Sequence, residues 1–207
     1  MNFIFDFDGT IADSFETLVA VFNKNIRDDK DPLTAKEIQA LRGMSSRKAI
    51  RHLGIRWWQV PKLILTGLPD FRALVPSLRT FDGLPEALDK LKKRGDRLFI
   101  VTSNTHDTVD VFLGKNNLEN YFIDIKTGAS LFKKAGDIRK LIKEQGLKRK
   151  DTVYVGDETR DMTAARKARI KIVSVSWGFN NHAILAKRHP NYLINKPEEL
   201  LTIRLPK

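Results

Sequence analysis

Four aspartates define the chemistry open to this chain. Asp6 and Asp8 stand two apart in Asp6-Phe7-Asp8-Gly9-Thr10, directly after the apolar run Phe3-Ile4-Phe5. An apolar run of that length makes a buried strand. Acids with glycine and threonine just after it belong in a loop at the strand's carboxyl end, where open α/β sheets bind ligands. If the strand continues through them, Asp6 and Asp8 leave on the same side. Two close carboxylates repel unless a cation or a shared proton intervenes. The second pair lies in Val155-Gly156-Asp157-Glu158-Thr159-Arg160-Asp161. Gly156 permits a close turn after a strand, and the spacing of Asp157 and Asp161 puts both on one face of a helix start. Glu158 reads as a plain N-terminal helix charge.

The elements that must position these acids can be read from periodicity. Phe15, Leu18, Val19, Phe22 and Ile26 recur at helical spacing, with Ser14 placed as a cap. Asp28 to Pro32 is a charged break. Thr34-Ala35-Lys36-Glu37 is a capping box that opens a second helix through Ile38 and Leu41. Gly43 stops it. Ser45 or Ser46 starts a third helix, which Gly54 closes. Trp57 and Trp58 read as packed against these helices, and Pro61, Pro69 and Pro76 leave residues 68–78 without a clear assignment. No strand is expected between Ser14 and Phe81. After Phe81 the grammar changes. Pro85 suits the first turn of a helix to Arg94. Strands are predicted over residues 98–101, 122–125, 153–155 and 172–175, and helices over 107–116, 135–145 and 159–168. Such alternation implies parallel strands and βαβ crossovers.

The Asp-Phe-Asp-Gly-Thr run, with the acidic cluster far downstream, resembles the haloacid dehalogenase-like superfamily of phosphohydrolases, in particular its capped, phosphoglycolate phosphatase-like branch. The resemblance covers nearly the whole chain. It implies an α/β fold, a Rossmann-like parallel sheet core at residues 1–14 and 82–207, with an inserted helical cap domain at residues 15–81. It also implies roles. Asp6 would attack phosphorus and become an aspartyl phosphate. Asp8 would protonate the leaving oxygen and then activate water. Ser103, after the strand ending in Thr102, would hold a phosphoryl oxygen. Asn104 would donate to substrate or fix the loop, and Thr10 is assigned to the substrate side with it. A lysine must neutralise the transferring group. Lys133 and Lys134 both qualify, and the spacing to Asp157 favours Lys134. Trp177-Gly178-Phe179-Asn180 resembles a family loop beside the active site.

The resemblance also implies Mg²⁺, held by Asp6, the backbone carbonyl of Asp8, Asp157 and Asp161, the last either as a ligand or by orienting metal-bound waters. Charge supports it. At an effective dielectric of about 20 and roughly 5 Å, each like-charge pair costs on the order of 3 kcal/mol. One lysine cannot offset four acids and a phosphate, and an oxygen-only site suits Mg²⁺. In the cap, Arg42 and Gly43 of Arg42-Gly43-Met44-Ser45-Ser46-Arg47 form a glycine loop before a helix that can hold an anionic group.

Composition narrows the rest. A chain of 207 residues fits one domain, or one with an insert. It has no cysteine, so thiolate metal sites and disulfides are excluded. No apolar run is long enough for a membrane span. The start lacks a basic leader and Asp6 and Asp8 interrupt its apolar run, so no signal peptide is expected and the enzyme is expected in the cytoplasm. The net charge of +12 is spread over helical segments such as Lys90 to Arg94 and Lys143 to Lys150. A basic surface attracts phosphorylated small molecules as well as nucleic acid. The expected reaction is Mg²⁺-dependent hydrolysis of a small phosphorylated metabolite, with phosphoglycolate the nearest precedent. The alternatives are a phosphomutase of the β-phosphoglucomutase type and a basic protein on the same scaffold that binds nucleic acid or trims its phosphorylated ends. Asp8 argues against a dehalogenase, which lacks that acid. Lys48 is the lysine a phosphonatase-type Schiff base would need.

Overall fold

A computed structural model of the chain describes residues 1–26, 31–128 and 134–205. The side chains of Ile26 and Trp57 lie outside the described residues, as do Asp28 and Lys133. In chain order the elements are β1 (Asn2–Phe5), α1 (Phe15–Ile26), α2 (Ala35–Arg42), α3 (Ser46–His52), α4 (Val60–Leu74), α5 (Leu84–Lys93), β2 (Arg97–Val101), α6 (His106–Lys115), β3 (Asp124–Lys126), α7 (Lys134–Glu144), β4 (Thr152–Gly156), α8 (Thr159–Ala168), β5 (Lys171–Val175), α9 (His182–Ala186) and β6 (Tyr192–Ile194).

The six strands form one parallel sheet in the order β3-β2-β1-β4-β5-β6. This is the order of a doubly wound α/β fold, and it reverses at β1. Alternate side chains of each strand feed two opposite cores. Phe3, Phe5, Ile100, Val153 and Val155 join Leu84, Leu88, Leu91, Val109 and Phe112 from α5 and α6 on one face. Ile4, Phe99, Val101, Tyr154 and Ile172 join Ile138, Leu141, Met162 and Ala165 from α7 and α8 on the other. Strands covered on both faces read as continuous apolar runs, as β1, β2 and β4 do. Because every pairing is parallel, all carboxyl ends share one edge. In register, Phe5 lies between Ile100 and Val155, so the loops after β1, β2 and β4 emerge side by side.

Helices α1 to α4 follow β1, and no strand interrupts them among the described residues. Val21, Phe71, Val75 and Leu78 join the core on the α5 and α6 face, whereas α2 and α3 bury no residue. The capping box forms as expected: Thr34 N–H donates to Glu37 Oε2 at 2.7 Å, and Glu37 N–H donates to Thr34 Oγ1 at 3.3 Å. Ser45 is the cap residue of α3, and Ser46 is its first helical residue.

Four expectations are corrected. Residues 60–74 form one helix with Pro69 inside it. Proline removes a donor to the carbonyl four residues back, here that of Leu65, whose side chain is 71% exposed, so this turn faces water. Trp58 is 56% exposed rather than packed, with the Arg56 guanidinium over its ring at 5.3 Å. The third strand starts at Asp124, while Phe122 turns into the core against Phe5. Beyond Val175 the sheet gains the short edge strand β6.

Candidate active site

The site sits at the carboxyl edge of the sheet, in the crevice between β1 and β4. Asp6 N–H still bonds Val155 O at 2.8 Å, so the nucleophile candidate rides on the end of the ladder. One of its oxygens, Oδ1, accepts the Phe7 N–H at 2.8 Å, and the other accepts Lys134 Nζ at 2.6 Å. Lys134, the first residue of α7, also donates to Asp161 Oδ1 at 2.8 Å. Its ammonium lies over the Tyr154 ring at 5.7 Å. Carboxylate oxygens of Asp6, Asp157 and Asp161 lie within 4.8 Å of one another, all three residues buried.

Both acids of the second pair are tied down. Asp157 accepts Thr10 Oγ1 at 2.8 Å and the Phe179 N–H at 2.7 Å. Asp161 accepts the Glu158 N–H at 2.9 Å. Glycine makes the approach of the three loops feasible. Gly9 has φ +70°, and a Cβ there would stand 2.3 Å from Asp157 Oδ2. A Cβ on Gly178 would stand 2.1 Å from Gly9 O and 2.4 Å from the Asp157 side chain. Thr10 is thereby a partner of Asp157.

Asp8 is half-buried and held from two sides, by Ser14 Oγ at 2.9 Å and Asn104 Nδ2 at 2.6 Å. Of the two roles open to Asn104, fixing the loop is the one with a contact behind it. Ser103 is half-buried at the end of β2 beside it. The sequence leaves Lys133 and Lys134 competing; Lys134 reaches the acids, and Lys133 lies outside the described residues.

The electrostatics follow from burial and one lysine. Burial pushes Asp6 up to about 7, against the pull of Lys134. Asp157 is pushed well above the usual carboxylate range by burial and by Glu158, Asp161 and Asp6. Burial would raise Asp161 as well, but Lys134 and Arg160 outweigh it and hold it below the ordinary value. Burial raises Asp8, partly countered by the Ser14 hydroxyl. Desolvation works against the charge on Lys134, but Asp161 and Asp6 more than offset it, so its pKa rises. The cluster is short of positive charge. Three hard oxygen ligands around a common point, with protonation as their other way to relieve repulsion, fit a divalent cation such as Mg²⁺.

Arg42 and Gly43 are placed differently from the acids. The Arg42 guanidinium donates to the carbonyls of Gly178 and Trp177 and stacks on Phe15 at 4.7 Å. Phe15 in turn packs on Phe179 at 5.3 Å between ring centroids. Asn181 N–H donates to Arg42 O at 3.0 Å, and Asn180 Nδ2 to Met44 O at 2.9 Å. The loop 42–46 is thus sewn to the loop after β5. Ser46 Oγ donates to Glu158 Oε2. Glu158 is 5% exposed and pairs with Arg160. From sequence, Glu158 reads as a plain helix-start charge, Asn180 falls only within a loop beside the active site, and Arg160 has no role. The adjacency of Glu158 and Arg160 to Asp157 was the available signal, but no spacing rule could say that an inserted helix would reach them.

These features carry the family assignment. The chain belongs to the haloacid dehalogenase-like hydrolases, whose family profile matches residues 3–175. It is similar to the phosphoglycolate phosphatase of Synechococcus elongatus, 34% identical over 199 residues that cover 96% of this chain and 94% of the relative. It is also similar to the pyrophosphatase PpaX of Bacillus velezensis, 26% identical over 97% of this chain and 94% of that one. Among solved structures, a haloacid dehalogenase-like family hydrolase from Streptococcus pneumoniae superposes with a TM-score of 0.82 at 22% identity, covering 97% of this chain and 96% of the other. That likeness establishes the shared fold. Among the described residues no helix is long and apolar enough to cross a membrane.

Proposed function

We propose that this chain is a Mg²⁺-dependent phosphomonoesterase acting on a small metabolite of the phosphoglycolate type, through an aspartyl phosphate on Asp6. The observation that carries the reading is the pairing of two differently prepared acids. Asp6 is buried against Lys134 and beside Asp157 and Asp161, whereas Asp8 is held by two neutral donors. Similarity to a phosphoglycolate phosphatase across nearly the full length supports the substrate class.

Asp6, Asp157 and Asp161 would hold the metal, with the Asp8 carbonyl in the role the family gives it. Bound there, Mg²⁺ would neutralise the phosphoryl oxygens and keep the Asp6 carboxylate ionised. Asp6 attacks phosphorus, and the bond to the leaving oxygen breaks. Asp8, whose pKa burial raises, gives that oxygen a proton. Asp8, now a carboxylate, takes a proton from water, and the water oxygen attacks the phosphorus of the aspartyl phosphate, freeing phosphate and Asp6. Asn104 and Ser14 keep Asp8 aimed through both steps. Lys134 holds Asp6 and meets the charge on the transferring group, and Ser103 holds a phosphoryl oxygen. Residues 15–81 act as a cap on a core of residues 1–14 and 82–207. Arg42 serves it by docking the cap to the 177–181 loop, and Gly43 ends α2 beside it.

Phosphate release from phosphoglycolate, pyrophosphate, other phosphometabolites and phosphorylated oligonucleotides tests this, with Mg²⁺ or EDTA present. Release from phosphoglycolate that EDTA and Asp6→Asn each abolish is expected. Interconversion of sugar phosphates without net release would favour the mutase, and release only from oligonucleotide ends the nucleic-acid reading.

A further inference from the structure

Arg160 is the second cation of the site, and no step above uses it. Its Nη2 lies 2.5 Å from Glu158 Oε1. Its Nε is buried with no hydrogen-bond partner, although the side chain as a whole is 27% exposed. The other oxygen of Glu158 accepts Ser46 Oγ, at the start of α3. One carboxylate therefore joins the inserted helices to the guanidinium. Arg160 directly precedes Asp161 in the chain, and its charge favours the ionised forms of Asp6, Asp8 and Asp161. A guanidinium presents donors as a planar fork suited to a carboxylate or phosphate. Glu158 occupies only part of that fork, and a buried donor left unpaired is costly. Lys134 already serves the nucleophile, from α7. Arg160 pairs with the carboxylate that Ser46 reaches from the start of α3.

We propose that Arg160 is a substrate-binding specificity residue that takes a carboxylate on the leaving group, positioned by Glu158 when Ser46 docks. The proposal rests on the phosphomonoesterase reading and adds to it the residue that recognises the second anionic group of a phosphoglycolate-type ester.

The test compares phosphoglycolate with 2-hydroxyethyl phosphate, which replaces the carboxylate by a neutral hydroxymethyl group. The unaltered chain is expected to prefer phosphoglycolate in kcat/KM by about tenfold or more, the usual value of a charge-assisted hydrogen bond. Arg160→Gln removes a cation that favours ionised Asp161, so kcat is expected to fall on both esters, and KM for phosphoglycolate is expected to rise about tenfold or more beyond any change for 2-hydroxyethyl phosphate. Arg160→Lys keeps the charge but loses the fork, and should fall between. Ser46→Ala should raise KM for phosphoglycolate by roughly two- to fivefold and leave the neutral ester alone. Melting curves show which variants are folded; if Arg160→Gln is not, Arg160→Lys and Ser46→Ala decide. Equal losses on both esters, or no loss on either, would overturn the proposal. So would a preference of the unaltered chain for the neutral ester, which leaves the phosphatase reading standing. Failure to release phosphate from either ester or from the wider panel would overturn both.

Discussion

The acid cluster and the helices inserted after β1 are built by different means. Around Asp6, Asp157 and Asp161 the described side-chain contacts are buried, short and mutually dependent: the lysine bridges two acids, and two loops are packed through Gly9 and Gly178 with no room for a methyl group. In α2 and α3 nothing is buried, and the ties to the sheet edge are polar and few, through Arg42, Asn180 and Ser46. A reaction site assembled before substrate arrives needs the first kind of construction. A surface that selects the leaving group can use the second, because a few hydrogen bonds can break and reform as substrate enters.

Paired substitutions should expose that difference. The largest effect is expected from Gly178→Ala, whose Cβ would collide with Gly9 O and Asp157. Overpacking of this kind costs about 1–3 kcal/mol, and the displaced Asp157 should lower kcat at least tenfold. Gly54→Ala is its counterpart in the inserted block. Gly54 has φ +74° and open space around its Cβ position, so a loss of about 1 kcal/mol with unchanged kcat should appear in thermal melts and steady-state rates. Next comes Asn104→Ala, which frees one side of Asp8. With Asp8 as the proposed general acid no longer aimed, kcat should fall about tenfold at nearly constant KM, more for poor leaving groups than for good ones. The smallest effect is expected from Thr34→Ala, which breaks the capping box of α2. It should cost about 1 kcal/mol by chemical denaturation and change activity by less than roughly twofold. A Thr34→Ala enzyme as crippled as the Gly178→Ala one would erase the contrast.

Where local chemistry dictates structure, the sequence was legible. Phe3-Ile4-Phe5 became the central strand with both acids at its end, and the Thr34–Glu37 capping box formed both of its hydrogen bonds. The choice between Lys133 and Lys134 depended on a helix start, and Lys134 opens α7 with its ammonium between Asp6 and Asp161. What escaped depends on distant contacts. Pro69 would end a helix by propensity, but α4 tolerates it where its orphaned turn faces water. The three residues of β6 carry too little pattern to be read without the neighbouring β5 edge. Glu158 has the look of a solvated helix-start charge, and only the arrival of Ser46 and Arg160 makes it a buried bridge.

The central claim is that Asp6 carries the phosphoryl group and Asp8 moves the protons. It is tested most directly by mass spectrometry of Asp8→Asn mixed with Mg²⁺ and p-nitrophenyl phosphate, whose leaving group needs no acid. With the base for the second step removed, the variant should accumulate one HPO₃ adduct on the peptide containing Asp6, and Asp6→Asn/Asp8→Asn should not. Release of p-nitrophenol with no adduct at Asp6, or an adduct that survives the Asp6→Asn change, would contradict the account.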